Sequence, residues 1–127
     1  MTWLSNTLHS VWQPLNVPQY LTADPAGNDA VRRKGIEKLE GCGTYLEQEL
    51  DGCEWCLGDT FSVADIYLYM LKGWESYADG QRLGGPALDA HYARVGARPR
   101  IARARELDDL DEQLNRYHPE LRAGKPV

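Results

Sequence analysis

The sequence predicts an all-α fold, a bundle of five to six helices. Apolar residues recur at i, i+3, i+4, i+7 spacing in several windows of the 127-residue chain, which is one face of a 3.6-residue helix. Ser62 and Asp65 stand in the [ST]-x-x-[DE] pattern of a capping box, with Phe61 and Ile66 spaced as a hydrophobic staple around it. No stretch has the character of a strand meander or a βαβ unit, and no internal repeat is visible.

The first helix is expected from Thr2 to about Leu15, because Leu4, Leu8, Val11, Trp12 and Leu15 form one stripe. Pro14 should kink or end it. Residues 16–29 carry Pro18, Pro25 and Gly27 and form a long connection in which Tyr20 and Leu21 must find an apolar surface. A second helix is expected from about Ala30 to Asp51, capped by Asn28 or Asp29, with Ile36, Leu39, Leu46 and Leu50 on its inner face. Gly35, Gly41 and Gly43 inside it each cost up to about 1 kcal/mol relative to Ala, which points to another helix coming close. Asp51-Gly52 is the stop.

Ser62 then caps the central helix, its hydroxyl accepting from the Asp65 N–H while the Asp65 carboxylate accepts from the Ser62 N–H. Val63, Ile66, Tyr67, Met70, Leu71 and Trp74 follow one face, and Ala64 and Leu68 add apolar groups elsewhere, so this helix should be buried nearly all round. Residues 75–85, with Gly80, Gly84 and Gly85, form a loop before Pro86 opens a short helix bearing Leu88, Tyr92 and Val95. Gly96-Ala97-Arg98-Pro99 breaks that helix and starts the last one, with Ile101, Ala104, Leu107, Leu110 and Leu114 in helical register. There Arg98, Arg100, Arg103 and Arg105 precede Asp108, Asp109, Asp111 and Glu112, the order the helix dipole disfavours. Either i, i+4 pairs such as Arg105 with Asp109 on a solvated face or a charged partner surface would account for it. Residues 1–115 are thus expected to be one helical domain, and residues 116–127 a flexible tail.

Composition narrows the function. With 43% hydrophobic and 26% charged residues the chain is of ordinary globular type, long enough to bury on the order of two-thirds of its unfolded surface. A net charge of −5 argues against nucleic acid or an anionic membrane as partner, since both require clustered Lys and Arg. No run approaches the ~18 apolar residues of a membrane span, and the N-terminus lacks the basic flank of a signal peptide, so a cytoplasmic location is expected. Cys42, Cys53 and Cys56 suit a reducing compartment. The Cys53-Glu54-Trp55-Cys56 spacing is expected to be structural, because redox chemistry places such a pair at a helix N-terminus after a strand and zinc needs a second ligand pair. His9, His91 and His118 are not at metal spacing, so no metal and no cofactor are expected.

Leu57-Gly58-Asp59-x-Phe61-Ser62-Val63-Ala64-Asp65 resembles the capping-box and staple motif of the all-helical C-terminal domain of glutathione S-transferases. The likeness is strongest to bacterial, beta-class-like members, which carry a Trp nine residues after the capping-box acid, as Trp74 follows Asp65. Leu8-His9-x-x-Trp12-x-Pro14-Leu15 and Ala97-Arg98-Pro99-x-Ile101 extend it over residues 3–110. The chain departs from such transferases in having no room for the thioredoxin-like domain with which they begin. The resemblance implies a role for His9, whose counterpart lies near the glutathione thiol; an imidazole can accept or donate a proton at cellular pH.

Trp12, Tyr20, Tyr67 and Trp74 are the candidate substrate-binding set, rings on the first and central helices that could wall an apolar cleft with polar tips inward. Asp65 is assigned to capping rather than chemistry. The function the resemblance implies is a glutathione-transferase-like domain binding a small apolar substrate between the first and central helices, with a thiol co-substrate such as glutathione as one option. The alternatives are an isomerase- or cyclase-type enzyme using no thiol, a protein-interaction module, and a fragment of a longer gene product. A homodimer is expected, with a separate thioredoxin-like protein as the other candidate partner.

Overall fold

The stripe Leu4, Leu8, Val11, Trp12 and Leu15 is buried along its whole length, as its helical spacing requires. The computed structural model describes the backbone of residues 1–117 and the side chains of residues 1–109. Five α-helices occur there: α1 (His9–Asn16), α2 (Asn28–Leu50), α3 (Val63–Gly73), α4 (Pro86–Gly96) and α5 (Pro99–Tyr117). A π-helical segment, Leu4–Leu8, leads into α1, and short 3-10 turns at Pro18–Tyr20, Pro25–Gly27 and Trp74–Tyr77 punctuate the connections. Among the described residues no helix is long and apolar enough to cross a membrane. Residues 1–95 form one compact unit, and the described residues from 96 on belong to a second.

The first unit has one core, in which Leu8, Val11 and Trp12 meet Leu39, Cys42 and Leu46 of α2 and Leu68 and Leu71 of α3. Pro14 neither ends nor breaks α1, which runs two residues further to Asn16. Opposite its ring stands Gly35 of α2, where a Cβ would lie 3.0 Å from Pro14 Cγ and 3.2 Å from Leu15 Cγ. Gly35 is therefore the close helix approach that the sequence suggested. Gly43 serves a different neighbour: a Cβ there would fall 2.6 Å from the backbone nitrogen of Gly84, so a loop rather than a helix presses on it. Gly41 faces open space, and the expected contact is absent at that position.

Helix α2 begins at Asn28 rather than at Ala30, and Gly27, with no side-chain cap, precedes it. Asp24 caps the preceding turn instead, accepting from the Ala26 N–H at 3.0 Å. Asp51-Gly52 ends α2 as expected, Gly52 taking φ +71. The capping box of α3 is formed: the Asp65 carboxylate accepts from the Ser62 N–H at 2.8 Å, and the Ser62 hydroxyl accepts from the Ala64 N–H at 3.2 Å.

The buried face of α3 differs from the stripe expected for it. Ala64, Asp65, Leu68, Tyr69, Leu71 and Lys72 are buried, whereas Val63 is 62% exposed, Ile66 40% and Met70 39%. Apolar residues surround this helix, so periodicity alone could not choose between faces. The face that carries Asp65 and Lys72 was chosen because neighbouring elements satisfy both charges. Phe61 packs edge-on against Trp55, ring centroids 5.0 Å apart.

In the second unit, α5 carries an Arg103–Glu106 pair at 2.8 Å, spaced i,i+3 rather than the i,i+4 expected for Arg105 with Asp109. Of the tail expected over residues 116–127, residues 116 and 117 close α5; the remainder, including His118, lies outside the described residues.

Candidate functional site

Leu8 and Leu68 are fully buried, and each fixes a polar neighbour at the rim of the core: His9 follows the first and Tyr67 precedes the second. His9 Nδ1 and the Tyr67 hydroxyl oxygen lie 2.6 Å apart, sharing a hydrogen bond whose donor depends on the imidazole tautomer. Trp74, at the end of α3, sets its ring edge-on to the imidazole with centroids 5.0 Å apart and planes at 84°. Beside this corner opens a cleft of about 470 Å³, bordered by Ser5, His9, Trp12, Gln13, Asn16 and Trp74. That is the size of an ordinary small-molecule site.

The fold therefore brings His9 and Trp12 of α1 together with Tyr67 of α3 and with Trp74 just after it. Trp12 is 2% exposed, contributes a wall, and keeps its Nε1 buried without a hydrogen-bond partner. Tyr20 is not brought to the cleft: it stands 76% exposed on the Pro18–Tyr20 turn. An exposed imidazole in a short hydrogen bond to a phenol can take up or deliver a proton at the cleft, and the indole edge holds its plane.

A second histidine is built into the interior. Asp65 Oδ1 accepts from His91 Nε2 at 2.8 Å and from the Cys56 N–H at 2.7 Å, while Oδ2 accepts from the Ser62 N–H. Both Asp65 and His91 are fully buried. Burial alone would raise the Asp65 carboxyl, but the hydrogen bonds from Cys56, His91 and Ser62 outweigh it and hold the group below its ordinary value. The carboxylate can only accept, so His91 Nε2 carries the proton. Cys56 Sγ lies 3.9 Å from that nitrogen, and burial, followed by the hydrogen bond and charge of Asp65, pushes the thiol up to about 12.

Cys56, Asp65 and His91 offer ligand atoms of metal-binding type within 4.8 Å of one another. His91 spends Nε2 on Asp65, while its Nδ1 is buried without a hydrogen-bond partner. Asp65 takes donors on both oxygens, so the cluster forms a clasp joining the Cys56 loop, α3 and α4.

Two further residues that sequence reasoning missed complete the frame. Glu47 of α2 accepts from the backbone N–H groups of Gly85, Ala87 and Leu88, capping α4 from 38 to 41 residues away. Burial opposes its ionisation, yet those three donors win and lower its carboxyl. Lys72, 4% exposed, places Nζ 2.8 Å from the Leu83 carbonyl, 2.5 Å from Glu75 and 3.0 Å from Asp89. The role of Glu47 has no local sequence signal, because its partners lie 38 to 41 residues away, and for Lys72 only the i,i+3 spacing to Glu75 is local.

The family model for the glutathione S-transferase C-terminal domain matches residues 13–106. A curated protein, glutathione S-transferase GST-4.5 of Xanthomonas campestris pv. campestris, is 26% identical over 111 residues, which are 87% of this chain and 54% of that protein. The chain thus spans about half the length of the relative. No solved structure matches it significantly. With helices α1 to α4 in place and the capping box formed within the matched span, the chain belongs to the glutathione S-transferase C-terminal domain family.

Proposed function

We propose that this helical domain binds a small, mostly apolar substrate in the cleft beside His9, with glutathione as a thiol co-substrate. The observation that supports this reading is the 2.6 Å contact between His9 Nδ1 and the Tyr67 hydroxyl, edged by Trp74 at the mouth of a 470 Å³ cleft. A proton acceptor at an apolar cleft suits deprotonation of a thiol or protonation of a substrate atom. His9 is the proposed acid or base, Tyr67 its hydrogen-bond partner, and Trp12 and Trp74 the walls.

The same pair can move a proton with no thiol present, which keeps an isomerase- or cyclase-type reaction as the second chemistry. The exposed α3 face of Val63, Ile66 and Met70 favours a protein partner as well, either a second copy of this chain or a separate thioredoxin-like protein.

The deciding experiment compares the parent, His9→Ala and Tyr67→Phe with glutathione plus an electrophile, and again with substrates lacking a thiol. Loss of turnover with the thiol substrates supports the transferase, and loss confined to thiol-free substrates supports the isomerase. A parent inactive in every assay, yet forming a stable complex through the α3 face, would replace catalysis by an interaction role.

A further inference from the structure

The lining of the His9 cleft has a chemical bias of its own. Apart from the imidazole, none of the described residues that border it can carry a charge, although 26% of the chain is charged. A carboxylate or ammonium brought against such a lining would lose water without gaining a counter-charge, whereas a neutral polar group loses little if it finds a hydrogen bond. The hydrogen bonds on offer are few. Ser10 Oγ lies 2.9 Å from the Asn6 carbonyl and 2.8 Å from that of Thr7, and Ser5 Oγ lies 3.1 Å from the Thr2 carbonyl, so both hydroxyls are engaged by their own helical turn. The side-chain amides of Gln13 and Asn16 are exposed at the cleft and have no hydrogen-bond partner among the described residues.

Helical register fixes where those amides stand. His9, Gln13 and Asn16 are i, i+4 and i+7 on α1, one face of the helix, and at a rise of about 1.5 Å per residue the amides lie roughly 6 and 10 Å along the axis from the imidazole. A carboxamide presents an N–H donor beside a C=O acceptor, the complement of a ligand edge carrying the same pair, as a lactam, imide or urea does. Trp12, as a buried wall, and Trp74, half-buried, border the same space, and indoles pack best on a flat ring system. We infer that the substrate of this cleft is an uncharged, planar, two-ring molecule with a lactam- or amide-type edge, and that Gln13 and Asn16 are the residues that select it. This rests on reading the His9 cleft as the substrate site. The lactam edge pairs with the two amides while the far ring reaches the imidazole, a span that two fused rings cover and a single ring does not.

Calorimetric titration of the full chain with 2-quinolone, its N-methyl derivative and 2-naphthoate tests it. The lactam 2-quinolone should bind saturably, about tenfold more tightly than the N-methyl compound, which lacks the donor, or the naphthoate, which is charged. The double variant Gln13→Leu/Asn16→Leu should bring 2-quinolone and its N-methyl derivative to equal affinity, and both positions are exposed, so its melting should match the parent. Should the pair fail to fold, Asn16→Leu alone carries the test, with the preference reduced to about threefold. Ser5→Trp, at an exposed position on the border of the cleft, should block binding. His9→Ala should keep the lactam preference, and this arm separates specificity from catalysis: preference in a protein without turnover would uphold the inference and remove the acid–base role, whereas His9-dependent turnover without preference would overturn the inference alone. Absence of saturable binding, a preference that survives the double variant, 2-quinolone binding unaltered by Ser5→Trp, or 2-naphthoate bound as tightly as 2-quinolone would each overturn it as well.

Discussion

The two hydrogen-bonded histidines of this domain are opposites. His91 lies at zero exposure with Asp65 and beside Cys56, three residue types that in isolation suggest catalysis or metal binding. His9 is exposed and has only a phenol and an indole for company. The richer cluster is the less capable, because each Asp65 oxygen is already committed and the thiol is pushed up to about 12, where almost none of it is ionised near neutral pH. The poorer one borders open volume. A set of reactive residue types becomes a site only where its hydrogen-bonding capacity is left for a ligand; used up internally, it holds the fold together.

The largest effect that would test this contrast is Asp65→Ala. It strips His91 of its buried partner and removes the box, and should cost about 3–5 kcal/mol of stability in urea melts. Unchanged stability would show that the interior cluster is not a clasp. Acid should weaken the same interior. Asp65 and Glu47 have carboxyls lowered by folding, so the stability they contribute is present above the unfolded carboxylate range near pH 4 and is lost as pH falls below it. Urea midpoints followed from pH 7 to pH 3 should fall steeply at the acid end, and Glu47→Gln should flatten that limb.

Ser62→Ala, removing one half of the capping box, should cost about 0.5–2 kcal/mol by the same melts. A smaller response is expected of the Cys56 thiol: alkylation by iodoacetamide at pH 8 should be far slower than for a free cysteine, and fast labelling in the native state would contradict the raised thiol. Smallest of all should be the effect of His9→Ala on folding, within about 0.5 kcal/mol of the parent, because its side chain is exposed. Turnover is where that variant should differ, by about 10²–10⁴-fold if the imidazole moves a proton. A stability loss as large as that of Asp65→Ala would make both histidines structural.

What the sequence determined alone was local. The Ser62–Asp65 box, the stop at Gly52 and the helical period of the stripe from Leu4 to Leu15 are set by residues within one or a few turns of each other. His9 and Trp74 stood out as candidates through the family resemblance, and the structure sets their rings against each other. Tertiary structure alone decided which face of α3 is buried, since apolar residues ring that helix and only the partners of Asp65 and Lys72, supplied by the Cys56 loop, Leu83, Asp89 and His91, break the tie. It also decided that Glu47 caps α4, that Gly43 yields to the backbone of Gly84, and that Tyr20 stays away from the His9 cleft. Each of these is a contact across tens of residues, created when the chain closes and written in no local period.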